Sequence, residues 1–133
     1  MGYRQQPALD AENHAFWTHG ADGALAICRC GACRTWIHPP LPVCPECGAD
    51  AAPEHVSGRG TVHSFSIIRR APAAAFAPQV PYVVALVDLD EGPRMMSNIV
   101  GEGALEVRIG ETVQVCFEDR GGGAKIPQFA RKA

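Results

Sequence analysis

Two copies of Cys-x2-Cys, ten residues apart, constrain this chain more than any other feature. Cys30 and Cys33 form the first pair and Cys44 and Cys47 the second, inside the stretch CRCGACRTWIHPPLPVCPECG at 28–48. Each pair can close a tight turn in which two sulfurs converge and backbone amides point at the thiolates. Two such turns facing each other supply four soft ligands in the tetrahedral array that zinc accepts, and iron would fit the same four thiolates. Gly31 and Gly48 stand at or beside the turns, where a residue without Cβ relaxes the φ constraint. Four thiolates leave no open position for a substrate, so the spacing predicts a structural metal.

A disulfide framework is the rival use of clustered cysteines, and it requires an oxidising compartment. The N-terminal stretch MGYRQQPALDAENHAFW has no basic region followed by an apolar run, so no signal peptide is read there. Gln6 stands where a myristoylation signal needs Ser or Thr. No window reaches the roughly 18 apolar residues of a spanning helix. The expectation is a cytoplasmic protein with reduced, metal-binding thiols and no membrane contact. Cys28, two residues before Cys30, is read as a strand residue of ALAICRC; in an extended strand it would point to the same side as Cys30.

With 133 residues the chain is one domain of common size or two small modules. A net charge of −2 gives no basic excess for generic phosphate binding. Residues 10–19, DAENHAFWTH, read as a short helix with Asp10 as N-cap and Gly20 as stop, too short to stand alone. GALAIC then leads as a strand into the ribbon, and Pro39, Pro40 and Pro42 fix an extended path between its two knuckles. The composition changes after GADAAPEH, so the expected division is a helical segment at 1–25, a zinc ribbon at 26–54 and a β domain at 55–133.

From Val56 onward the pattern is β. GRGTVHSFSIIRRA places Val62, Phe65 and Ile67 among polar neighbours, and VPYVVALVDLD is a continuous apolar run. The turn Asp90-Glu91-Gly92-Pro93 leads into GPRMMSNIVG, ETVQVCFED follows a short connection, and RGGG leads into AKIPQFAR. Five strands with a helical or turn connection between the third and fourth predict a mainly β chain ending in a five-stranded OB-fold barrel, with a five-stranded sandwich or an SH3-like barrel as alternatives.

The residues FW at 16–17, CGAC at 30–33, HPPLPVCPECG at 38–48, GRGTVHSF at 58–65 and PYVVALVDLDEGPRMMSNIVG at 81–101 form a specific combination, completed by VRIGETVQVCFED at 107–119 and IPQF at 126–129. In this order the chain resembles the zinc-ribbon/OB-fold family of acyl-CoA- and thiolase-associated proteins, known as domain of unknown function thirty-five. The resemblance implies a rubredoxin-like ribbon and a non-catalytic accessory subunit of a complex acting on CoA thioesters. It implies a thiolase-type partner that carries the catalytic groups, with this chain adding to the CoA-binding region. A hot-dog-fold enoyl-CoA hydratase or a lyase is the alternative partner.

Nothing else in the sequence assembles a catalytic set. His14, His19, His38, His55 and His63 lack the spacing of a catalytic metal site, and Cys116 lies in a strand pattern without a glycine-rich elbow. Arg69 and Arg70 match the geometry of a CoA phosphate, or form an exposed pair at a strand end. Phe16, Trp17, Trp36 and Ile37 are candidates for a partner interface, with packing inside the chain as the alternative. Single-stranded nucleic acid is the remaining partner class, disfavoured by the negative charge and by Tyr82 as the sole aromatic of VPYVVALVDLDEGPRMMSNIV.

Overall fold

The computed structural model describes residues 13–119 and 125–132. One helix, α1 (His14–Ala21), precedes eight strands: β1 (Ala26–Cys30), β2 (Trp36–Ile37), β3 (Ala51–His55), β4 (Arg59–Ile68), β5 (Tyr82–Leu89), β6 (Arg94–Val100), β7 (Thr112–Asp119) and β8 (Lys125–Arg131). The first three strands make an antiparallel sheet in the order β2-β1-β3, and the other five close a barrel in the order β4-β5-β6-β8-β7. This is the mainly β architecture with an OB-fold barrel that the strand count predicts. The chain closes the barrel by laying β8 antiparallel to β7 and parallel to β6, while β7 returns to β4. A 3-10 turn at Ala104–Glu106 makes the connection between the third and fourth barrel strands.

Alternation decides what the barrel buries. Along β5, Val83, Ala85, Val87 and Leu89 point inward and are nearly inaccessible, and the residues between them are half-buried. In β4 the inward residues change parity, from Val62 to the half-buried Phe65 and Ile67. The cause is a register shift between Val62 and Ser64, where a bulge inserts one residue and flips the face. Gly60 is required where β4 meets β5: an added Cβ would come within 2.6 Å of Val87 Cγ1 and 2.8 Å of the Asp88 carbonyl.

The ribbon and barrel share packing through β1. Leu25 and Ile27 join the barrel core with Phe16, while Cys28 and Cys30 face the other way into a smaller core with Ile37 and Cys44. Cys28 thus shares the side of Cys30, as its spacing predicts. Two local readings differ from the structure. Residues 51–55 form an edge strand of the ribbon sheet, where Pro53, lacking an N–H, is tolerated. Gly20 does not end α1: it is buried within it, and an added Cβ would lie 3.3 Å from the Lys125 carbonyl oxygen, so the glycine lets the helix approach β8 closely. Asp10 lies outside the described residues, and Asn13 occupies the N-cap position without a side-chain capping bond to the helix.

One ion pair ties the barrel's last strand to the loop before β7. Arg131 Nη2 donates to Glu111 Oε2 at 2.6 Å, its Nη1 donates to the Gly103 carbonyl at 2.8 Å, and Glu111 Oε1 accepts the Arg108 amide at 2.6 Å. The Arg131 guanidinium holds the Glu111 carboxyl below its ordinary range, with help from the Arg108 amide. A depressed folded pKa means that this stabilisation is complete above the unfolded value and is lost as pH falls through the folded one. Glu111→Gln is expected to lower stability at neutral pH and to flatten the acid limb of the stability–pH curve, measured by urea unfolding at descending pH. A parallel downward shift at all pH values would exclude this origin.

Candidate metal centre

β1 ends at Cys30, and a turn over 31–33 brings Cys33 back beside it. The second knuckle repeats the device: a turn over 45–47 follows Cys44, and the Gly48 amide donates to the Cys44 carbonyl at 2.9 Å with Gly48 at φ +78°. In both knuckles amides point at sulfur. Ala32 and Cys33 donate to Cys30 Sγ at 3.3 and 3.4 Å, and Glu46 donates to Cys44 Sγ at 3.3 Å.

The four sulfurs lie within 4.8 Å of one another, with Cys30–Cys47 at 3.5 Å and Cys33–Cys44 at 3.6 Å. A tetrahedral centre with metal–sulfur bonds of about 2.3 Å sets its sulfurs roughly 3.8 Å apart, so the arrangement fits a four-thiolate ion. Cys30 and Cys44 form the buried side and Cys33 and Cys47 the exposed side. The Thr35 hydroxyl and amide hold the Cys33 thiol down at about 6. Cys47, despite the Ala49 amide, is pushed up to about 11 by the sulfurs of Cys30 and Cys33. Thiols packed this closely resist ionising together, and a divalent cation removes that conflict.

The remaining cysteines stand apart from this set. Cys28 is buried, which pushes its thiol up against the effect of the Leu41 amide, and Cys116 is half-buried in β7 with its thiol pushed up likewise. Neither has the depressed pKa of a nucleophile.

The four interface candidates fall in different environments. Phe16 is buried in the barrel core and Ile37 in the ribbon core. Trp17 is half-buried, edge-on to Phe16 at 4.9 Å between centroids. Trp36 is half-buried beneath the Arg29 guanidinium at 4.3 Å and packs against the barrel core. Among the described residues, the large apolar side chains left most open are others: Leu41 and Val43 on the ribbon, Met96 on β6, and Leu105 and Ile109 beyond it. Arg69 and Arg70 are exposed just after β4.

The structure also pairs two histidines that are 36 residues apart. His19 on α1 and His55 on β3 share a hydrogen bond of 2.9 Å between Nδ1 and Nε2, which links helix to ribbon. No local spacing could reveal that pair.

A four-cysteine ribbon mounted on a closed five-stranded barrel defines a class: metal-stapled OB-fold proteins whose metal has no vacancy for chemistry. Residues 17–54 match the ChsH2 rubredoxin-like zinc ribbon domain, and residues 53–118 match the ChsH2 C-terminal OB-fold domain. A DUF35 domain-containing scaffold protein of Methanothermobacter thermautotrophicus is 37% identical over 67% of this chain and 68% of its own length. A probable enoyl-CoA hydratase alpha subunit of Thermomonospora curvata is 39% identical over 95% of this chain, which spans only 39% of that relative. Among solved structures, the Ltp2-ChsH2(DUF35) aldolase superposes with a TM-score of 0.84 and 35% identity, over 95% of this chain and 98% of that one. The chain belongs to the DUF35 family of zinc-ribbon/OB-fold proteins.

Proposed function

We propose that this chain is a non-catalytic, zinc-stapled accessory subunit that scaffolds an enzyme acting on CoA thioesters. The similarity over nearly the whole of both chains to the ChsH2 component of an aldolase complex carries this reading. The site chemistry agrees with it. A closed four-thiolate centre offers no catalytic position, and among the described residues the two other thiols are pushed up by burial rather than activated. Zinc is the proposed metal; iron would fit the same thiolates and would betray itself by colour.

The partner we propose is of thiolase type, a chain that supplies its own nucleophile and base. A second reading, an enoyl-CoA hydratase partner, is favoured by the hydratase alpha subunit among the relatives. The partner-facing surface is assigned to the open residues Leu41 and Val43 with half-buried Trp17 and Trp36, and Phe16 and Ile37 support it from inside the chain. Arg69 and Arg70 are exposed and available to CoA phosphate, and the proposed division into helical segment, staple and barrel at 1–25, 26–54 and 55–133 needs only His55, the last residue of β3, moved to the staple.

Co-purification from the native host, with the partner identified by mass spectrometry and assayed on acyl-CoA substrates, tests the proposal. Leu41→Asp combined with Val43→Asp is expected to weaken the complex by about tenfold or more, since charge at a desolvated interface core is costly, while metal content stays unchanged. Recovery of the chain alone, with salt-sensitive binding to single-stranded nucleic acid, would overturn it.

A further inference from the structure

A groove of about 370 Å³ lies where α1, the proline turn at 38–40, β6 and β8 meet. Trp17, Pro39, Pro40, Met96 and Ile126 give it apolar walls, and among the described residues no Asp, Glu, Lys or Arg side chain lines it. Its volume is within the range of small-molecule sites, which are mainly apolar with a few polar groups that fix orientation. Methionine suits such a wall because its flexible thioether adapts to irregular aliphatic shapes, and Met96 is 69% exposed.

His38 supplies one polar group. Burial holds its ring below the ordinary imidazole pKa, so it is neutral at neutral pH, and its Nδ1 is buried without a hydrogen-bond partner. A neutral imidazole can meet a carbonyl or a water through one nitrogen or the other. It cannot balance a phosphate, which calls for Arg, Lys or converging amides.

The lining therefore discriminates between the two ends of a CoA thioester. We propose that this groove receives the aliphatic acyl group of the thioester, while the CoA phosphates lie elsewhere. The inference rests on the reading that the chain serves an acyl-CoA enzyme, but it concerns a site on this chain's own surface.

Acyl thioesters of N-acetylcysteamine, which lack every CoA phosphate, are the probes. They are titrated into the full chain carrying methyl-labelled methionine, with the Met95 and Met96 signals followed by NMR. Saturable shifts are expected, with affinity rising by up to about fourfold for each methylene added to the acyl chain. Met96→Lys, a change at an exposed position, should weaken binding about tenfold or more, while N-acetylcysteamine alone and free CoA should leave the two methyl signals in place. Absence of saturable shifts, affinity independent of chain length, or equal competition by free CoA would each overturn the proposal. Co-purification is scored separately. If the probes fail to bind while Met96→Lys abolishes the complex, the groove is a protein-docking surface, the acyl proposal falls and the accessory reading stands. If the probes bind as expected but no acyl-CoA enzyme co-purifies, the acyl site stands and the accessory reading falls.

Discussion

Cys44→Ser will strip the metal from this protein and release the ribbon while leaving a cooperatively folded barrel. Cys44 is 3% exposed, sits 3.6 Å from the Cys33 sulfur, and belongs to the small core made by Cys28, Cys30 and Ile37. That core is too small to order residues 26–55 without help, and structural zinc supplies apparent binding free energies of about 10–16 kcal/mol in small ribbons at neutral pH. Removing one ligand should take the metal content from about one equivalent per chain to nearly none. The barrel has its own core around Val62, Val87, Val113 and Phe129, so its melting transition should survive at reduced temperature. Amide exchange in β1–β3 should rise towards that of an open chain. Cys28→Ala, on the same face of β1 but outside the sulfur cluster, should keep full metal content. Acid should release the metal from the native protein as well, because protons compete for the thiolates. Unchanged metal content and melting temperature in Cys44→Ser would refute the assignment.

Much of this was legible because the decisive signals are local. Two Cys-x2-Cys turns at the right separation announce a tetrahedral site before any fold is known, and the turn at 90–93 marks the end of β5 as plainly as any strand pattern. What the sequence hides depends on long-range placement. AAPEH reads poorly as a strand, since its proline and alanines have low β-propensity, yet an edge position beside β1 tolerates it. The bulge that flips β4 between Val62 and Phe65 leaves only a change of parity in the sequence. Phe16 and Ile37 look like exposed anchors because nothing local says which surface will cover them; β1 and the helix approach at Gly20 decide that. The groove is invisible in the sequence for the same reason, since its walls come from four separate segments.

Phe129→Ala is expected to cost about 3–5 kcal/mol, the range for deleting a fully buried aromatic side chain. Phe129 is inaccessible to solvent and stands in register with Ile99 on β6, where the strands run parallel, and with Val115 on β7, where they run antiparallel. It therefore fills the seam at which the chain closes the barrel, where β8 lies between β6 and β7. Small domains have roughly 5–15 kcal/mol of total stability, so the loss would bring the chain close to its unfolding threshold. The urea midpoint should fall steeply with little change in slope, because the same surface is exposed on unfolding. Phe129→Leu, which keeps most of the volume, should fall between the two. β8 also carries Ile126 into the groove and lies against α1 at Gly20. Acyl-probe binding should accordingly disappear in parallel with barrel stability, whereas the four-sulfur centre, in its separate core, should retain its metal below the unfolding transition. A loss smaller than about 1 kcal/mol would mean that the seam can collapse around the cavity, and that closure of the barrel does not depend on this ring.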